Sequence, residues 1–451
     1  MTTEEQLIKK YDVAGPRYTS YPTVPAWNIN DFNLADWQID IKNTFSKDNR
    51  IGIYIHLPYC ESLCTFCACH KHITINHAVE KPYIDAILKE WQLYLSLFDE
   101  KPVLQEMHLG GGTPSFFSPE NIKKLLNGII NYVTVPKNAA YSFEGHPMNT
   151  TNEHLQTLYN LGFRRVSFGV QDYDPKVQEA IHRFQPFENV KKVTEDARRI
   201  GYTSISHDLV FGLPFQTQES ITDTVKKTLS LQPDRLSFYS YAHVPWIKGN
   251  GQRGFSEEDI PAGTVKRSLY ETGKALFKND GYKEVGMDHF AHHEDELFHA
   301  REESRLHRNF MGYTTESAPT LIGLGISSIG NSSRSFAQND KSLKNYIEKV
   351  NCNEWPIVKG HLLSDADLLS AQIIEDIMCN FKTHRLEEFA AEHPEIYPKL
   401  RAMEKDDILS FNTRDLWVKP HRKAFVRNIA MLFDEYLDDN QGRKPVFSRT
   451  I

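Results

Sequence analysis

Between about residues 50 and 245, short apolar runs alternate with longer amphipathic stretches. The short runs are Gly52–Leu57, Val103–Leu109, Ala139–Glu144, Arg165–Val170, Ser204–Phe211 and Leu236–Tyr241. They are rich in Ile, Val, Phe and Tyr and often end in Gly, Pro or a polar residue, as strands do. The stretches between them predict helices at Lys81–Phe98, Pro119–Ile130, Asn152–Leu161, Phe187–Ile200 and Ser220–Leu231. Ser118-Pro119 reads as an N-cap with proline at the first helical position, and Gly162 and Gly201 suit helix exits.

Six strands separated by five helices predict an α/β fold with a parallel sheet covered by helices. Periodicity leaves open whether the sheet closes partly into a barrel or stays doubly wound. Either way, ligands belong at the carboxyl ends of the strands. Residues 1–50 contain Tyr18-Thr-Ser-Tyr-Pro-Thr23 and a helix near Phe32–Phe45, and read as an N-terminal extension packed on the first domain. Residues 51–360 then form the main domain with its elaboration. Residues 361–451 form a smaller, mainly helical one, with helices at Ser364–Met378, His384–His393 and His421–Leu437. Ile408–Leu416 with Val418 predicts a hairpin between the last two.

The length of 451 residues exceeds one ordinary core, and a formal charge of -7 argues against bulk nucleic-acid or anionic-membrane binding. No secretory pattern opens the chain, and no run of about 18 apolar residues predicts a membrane span, so a cytoplasmic location is expected. A monomer is the default expectation.

Cysteine usage changes the picture most. Four of six cysteines, Cys60, Cys64, Cys67 and Cys69, fall within ten residues directly after the first strand. In a long chain without a secretory signal, this spacing points to metal or redox chemistry. Thiolates at i, i+4 and i+7 suit one face of a [4Fe-4S] cluster, leaving the fourth iron without a protein ligand. A zinc knuckle is one alternative, because Cys69, His56, His70 and His72 lie near, and an uncomplexed thiol cluster is another. An open iron can take the amino and carboxylate groups of S-adenosylmethionine, whose reductive cleavage releases a 5'-deoxyadenosyl radical.

After the second strand, Leu109-Gly-Gly-Gly-Thr-Pro114 offers backbone N–H groups at close range to a ligand. Alone it also reads as an ordinary tight turn. Glu144, Gln171 and Asp172 stand at strand ends, Arg183 on the following helical stretch and Asp208 inside the fifth strand. Individually they are ordinary polar residues; as a set they suit recognition at a barrel mouth.

The C-x3-C-x2-C loop resembles that of the radical S-adenosylmethionine superfamily. The longer Cys60-x3-Cys64-x2-Cys67-x-Cys69 resembles one branch, the oxygen-independent coproporphyrinogen III oxidases (dehydrogenases). Gly15-Pro-Arg-Tyr-Thr-Ser-Tyr-Pro-Thr23, Arg308-Asn-Phe-Met-Gly-Tyr-Thr-Thr315 and Arg427-Asn-Ile-Ala-Met-Leu-Phe-Asp434 resemble the same family. The motifs span nearly the whole chain.

The resemblance implies a partial (β/α)6 barrel, one [4Fe-4S] cluster on Cys60, Cys64 and Cys67, and two S-adenosylmethionine molecules. Tyr54, Gly111, Glu144, Ala242 and Ile329 match contacts to one molecule. Phe66, Gly112, Thr113, Gln171, Arg183 and Asp208 match contacts to the other. Arg17, Tyr18, Arg308 and Cys69 become substrate-binding candidates. Met311 departs from the glutamine common at its position and supplies no amide hydrogen bonds. The implied activity is conversion of two propionates of coproporphyrinogen III to vinyl groups, drawing on a low-potential electron donor and an electron acceptor. The alternatives are another radical reaction, or the haem delivery proposed for paralogues that usually lack the fourth cysteine and the N-terminal motif.

Overall fold

The computed structural model describes residues 3–27, 32–246, 251–315, 317–437 and 447–451. The six expected strands form as β1 (Arg50–Leu57), β2 (Val103–Gly111), β3 (Ala140–Gly145), β4 (Arg165–Gln171), β5 (Ser204–Phe211) and β6 (Arg235–Ser240). They lie side by side in chain order, every pair parallel. Helices at Glu80–Leu95, Pro119–Ile130, Asn152–Asn160, Phe187–Ile200 and Gln218–Leu229 connect them.

Local chemistry sets the helix ends. The Ser118 side chain accepts from the Asn121 N–H ahead of Pro119, and Gly201 closes its helix at φ +114.

Later strands extend both edges. β7 (Lys283–Val285) and β8 (His289–Ala291) continue from β6 antiparallel. β9 (Thr320–Leu324) pairs parallel with β1, and β10 (Ile329–Asn331), β11 (Ser335–Asn339) and β12 (Ile357–Leu362) follow antiparallel. The twelve-stranded sheet therefore has the order β12-β11-β10-β9-β1-β2-β3-β4-β5-β6-β8-β7. It curls without closing. Side chains from β2 through β8, among them Glu106, Ser142, Ser167, Asp208, Tyr239 and His289, all face one interior cavity. The fold is thus a partial barrel, which settles the choice periodicity left open.

Apolar residues cover the outside of this sheet. Ile53, Ile55, Leu104, Leu109, Phe143 and Phe168 pack with Trp91, Ile122, Leu125 and Leu155 from the helices, each at most 1% exposed. The N-terminal segment does not pack as one unit. Trp37, Ile41 and Phe45 from Leu34–Lys47 join this barrel core, whereas Leu7, Tyr18 and Tyr21 join a second core. That second core holds Ile373, Ile377, Leu386, Leu400, Ile429 and Phe433.

The C-terminal part contains Asp365–Asn380, Leu386–Glu392 and Ile396–Lys405, the last not anticipated by periodicity. The expected hairpin forms as Leu409–Phe411 with Leu416–Val418, and Lys382–Thr383 adds a third strand. The single helix expected at His421–Leu437 is instead three short pieces, Pro420–Phe425, Val426–Ala430 and Met431–Phe433. Arg422 leaves helical geometry at φ -117, and the break lets Arg427 turn inward. Among the described residues no helix is long and apolar enough to cross a membrane.

Arg427 ties the chain's two ends together. Its guanidinium donates to the carbonyls of Pro16 (2.8 Å), Arg449 (3.1 Å), Thr450 (3.3 Å) and Gly15. Truncation leaves these buried acceptors unpaired, so Arg427→Ala is expected to destabilise the helical region by about 1–3 kcal/mol. Chemical denaturation followed by far-UV circular dichroism reads this, with faster proteolysis of the N-terminal segment as the companion signal.

Candidate active site

β1 is buried along most of its length, and the chain leaves its end at His56-Leu-Pro-Tyr into the cysteine loop. The loop carries little regular structure and is fixed by hydrogen bonds from its neighbours. Tyr83 donates to the His56 carbonyl at 2.8 Å, and the Thr65 N–H and hydroxyl reach the carbonyls of Ile181 and Ala180. Gln252 donates to the carbonyls of both Phe66 (3.1 Å) and Ala242 (2.7 Å), and Lys71 caps those of Cys67 and Cys69. His56 Nε2 lies 2.9 Å from the His70 carbonyl, so that nitrogen carries the proton, and Nδ1 accepts from the Tyr54 hydroxyl at 3.0 Å. Burial holds this imidazole neutral, its pKa pulled down to about 4.

The glycine turn lies directly against the loop. The Gly112 N–H bonds the Leu57 carbonyl at 2.9 Å. A Cβ on Gly112 would sit 2.5 Å from the Pro58 carbonyl oxygen. Gly111 has φ +121, and a Cβ there would meet the Leu57 nitrogen at 2.9 Å. Only glycine allows this approach of backbone to backbone.

Loop and turn enclose a cavity of about 430 Å³. Cys60, Cys64, Cys67 and Cys69 all line it, and so do Phe66, Gly111, Gly112, Thr113, Glu144, Gln171, Arg183 and Asp208. Eight of the eleven residues nominated for the cofactor, Phe66 to Asp208 in this series, are thus brought together. The other three lie apart from its lining. Tyr54 stacks on His108 with ring centroids 6.0 Å apart, Ala242 follows β6, and Ile329 opens β10.

The electrostatics are graded. Burial pushes the Cys60 thiol up to about 11, although the Thr113 hydroxyl lies 3.3 Å away. Cys67 and Cys69 share a hydrogen bond that lowers Cys67 and raises Cys69. Arg183 places Nη1 at 3.7 Å from the Cys64 sulfur and Nη2 at 2.6 Å from the Gly169 carbonyl. Burial raises Asp208, which accepts from the Ser167 hydroxyl at 2.6 Å.

A single zinc ion needs several donors converging on one point. The thiols instead border a wider space whose opposite wall has no Cβ at Gly111 or Gly112. That arrangement fits a cuboidal iron–sulfur cluster and a small ligand beside it.

The substrate candidates separate. Cys69 lines the cavity. Arg17 and Arg308 lie at the junction with the C-terminal region: Arg17 donates to the Ser240 carbonyl at 2.6 Å and sits 3.7 Å from Asp288, while Arg308 Nε reaches the Arg17 carbonyl at 3.2 Å. Tyr18 is only 4% exposed, in the second core, with its hydroxyl spent on Asp434 at 2.9 Å. Met311 faces the barrel interior.

Sequence reasoning missed the interior polar residues Glu106, Arg165, Ser204, Ser206, Arg235 and His289. The available signal was the polar alternation Arg165/Ser167 in β4, Ser204/Ser206/Asp208 in β5 and Arg235/Ser237 in β6, a pattern that elsewhere marks a solvated strand face.

A family model described as the Radical SAM superfamily matches residues 54–228, from within β1 through the helix after β5. Partial barrel, thiol loop and this match make the chain a radical S-adenosylmethionine protein. Likeness along the whole chain narrows the class. An oxygen-independent coproporphyrinogen III oxidase from Helicobacter pylori is 37% identical over 100% of both chains. The oxidase of the same description from Escherichia coli is 35% identical over 99% of this chain and 98% of its own. A solved structure of coproporphyrinogen III oxidase from Escherichia coli, described as a radical SAM enzyme, superposes with a TM-score of 0.88 at 33% identity. It covers 93% of this chain and 98% of that one. The chain belongs to the oxygen-independent coproporphyrinogen III oxidase family.

If Cys60, Cys64 and Cys67 are the cluster ligands, replacing any one of them with serine abolishes stable iron and sulfide uptake on anaerobic reconstitution. Cys69→Ser retains both. Iron and sulfide analysis with visible absorption checks this; equal loss in all four variants contradicts the three-ligand assignment.

Proposed function

We propose that this chain oxidatively decarboxylates two propionates of coproporphyrinogen III without oxygen, giving the vinyl groups of protoporphyrinogen IX. The observation that carries the reading is likeness to coproporphyrinogen III oxidases from one end of the chain to the other. The N-terminal motif, the cysteine loop and the C-terminal motif are all included. Haem delivery by a shortened paralogue accounts for neither the fourth cysteine nor the N-terminal motif.

When bound, a cluster with S-adenosylmethionine would supply the radical chemistry that converts a propionate to a vinyl group with loss of CO2 and one electron. The protein's work is placement. Cys60, Cys64 and Cys67 would hold the cluster at one wall of the cavity. The N–H groups and bare backbone of Gly111 and Gly112 admit the amino-acid end of the cofactor. Glu144, Gln171, Arg183 and Asp208 offer charge and hydrogen bonds to its ribose and methionine parts. Phe66 gives an apolar wall, backed by Val177, Ile181 and Leu213.

We infer two S-adenosylmethionine molecules. The residues nominated for one of them, Phe66, Gly112, Thr113, Gln171, Arg183 and Asp208, all border one cavity, which supports that half of the assignment. Hydrogen-atom abstraction needs no general base, so the carboxylates act as binding groups. Each decarboxylation sends one electron out of the substrate, so an acceptor is required in addition to the low-potential donor.

Anaerobically reconstituted protein given reductant, S-adenosylmethionine and coproporphyrinogen III is expected to release CO2 and form the divinyl product. Chromatography of the tetrapyrroles with gas analysis reads both. Tight haem binding with intact cofactor and no CO2 overturns the reading in favour of haem delivery.

A further inference from the structure

Below the cysteine-lined cavity, the barrel interior holds a second, smaller space of about 130 Å³. The two share Glu144, Ser167 and Asp208 in their walls, so they adjoin. Arg165, the first residue of β4, stands at its far end, paired in register with Ser142 of β3 and Ser204 of β5.

Arg165 makes no direct polar contact, although the charges of Glu106, Glu296 and Asp295 act on it from a distance. Its Nε is buried without a hydrogen bond, and among the described residues its guanidinium enters no hydrogen bond and no ion pair. Four other arginines also bury an unpaired nitrogen, yet each uses another one: Arg183 on the Gly169 carbonyl, Arg267 on Glu271, Arg308 on the Arg17 carbonyl and Arg422 on Glu4. The neighbouring acid Asp295 is already held by Arg235 Nε at 2.8 Å to both oxygens and by Ser204 at 3.0 Å. Burial brings Arg165 down only to about 10, so it stays charged at neutral pH. Because these acids act only at a distance, the half-buried guanidinium keeps donor positions that a ligand oxygen can fill.

The walls say which anion. Ser142, Ser167, Ser206 and Ser237 present hydroxyl groups and Met107 and Met311 apolar surface; the acids Glu106, Glu144 and Asp208 share the lining, Asp208 held by the Ser167 hydroxyl, so an anion is favoured only at the arginine. Hydroxyls and a planar fork of donors suit a carboxylate, and the apolar patches suit a short alkyl arm. The space is too small for a macrocycle but admits one such arm. From Ser167, shared by both spaces, to Arg165 is about 7 Å along the strand.

We propose that Arg165 receives the carboxylate of a short alkyl arm reaching down from the cysteine-lined cavity: a substrate propionate or the methionyl carboxylate of the second S-adenosylmethionine, the one not held at the open iron. The substrate arm of this inference rests on the coproporphyrinogen reading above.

Arg165→Gln and Arg165→Lys test it, with KM and kcat measured separately for coproporphyrinogen III and S-adenosylmethionine, alongside iron content and thermal melting. Loss of one charge-assisted contact corresponds to a rise of about 10- to 100-fold in KM. If a propionate is held, Arg165→Gln raises KM for coproporphyrinogen by that factor and leaves S-adenosylmethionine affinity alone. If the cofactor carboxylate is held, the pattern reverses. In both cases Arg165→Lys recovers part of the loss. Folded Arg165→Gln protein with both KM values unchanged overturns the proposal.

Should Arg165→Gln not fold, the unsubstituted protein still decides. Phenylglyoxal labelling of Arg165, read by peptide mass spectrometry, must fall when coproporphyrinogen III or S-adenosylmethionine is present; unprotected labelling with both overturns it. Absence of turnover in the unsubstituted enzyme instead defeats the coproporphyrinogen reading, independently of Arg165.

Discussion

The site depends on one close approach, the packing of the Gly111–Gly112 turn against the backbone that leads from β1 into the cysteine loop. The Gly112 N–H to Leu57 carbonyl bond sets the spacing, and Pro58 fills the place where a side chain would stand. Because the approach is backbone to backbone, the thiols and the N–H groups of the turn border the same cavity with little freedom. The loop itself has almost no regular structure. Its shape is imposed by donors from elsewhere in the chain, chiefly Tyr83, Thr65, Lys71 and Gln252.

A second constraint is polarity inside the barrel. Serines, acids and arginines occupy alternate positions of β4 to β6, where a structural barrel would place Val, Ile or Leu. Some of these groups satisfy one another, as Arg235 does with Asp295 and Ser167 with Asp208. Departures from the local packing rule of this kind gather at functional sites. Here they fall on the inner face, beneath the carboxyl ends where the thiols and the glycine turn sit.

The sequence was informative where signals are local. The six strands carry dense runs of Ile, Val and Phe, and two helix termini have Ser118-Pro119 and Gly201, so these elements emerge close to their expected limits. The thiol spacing and the glycine turn were legible for the same reason. Long-range contacts were not. Tyr18 sits in a motif that points to substrate, yet its hydroxyl meets Asp434, more than 400 residues away along the chain. The apolar rhythm of His421–Leu437 reads as one helix, but Arg427 is drawn inward by carbonyls near both chain ends. A charged residue at the start of a strand, such as Arg165, normally faces water, and only curling of the sheet turns it inward.

The proposed chemistry requires a cluster held by three thiolates with one iron left for the cofactor. Mössbauer spectra of protein reconstituted with ⁵⁷Fe, recorded with and without S-adenosylmethionine, test this most directly. One iron of the four should change its isomer shift and quadrupole splitting when the cofactor binds. A spectrum in which all four sites remain unaltered at saturating cofactor contradicts it.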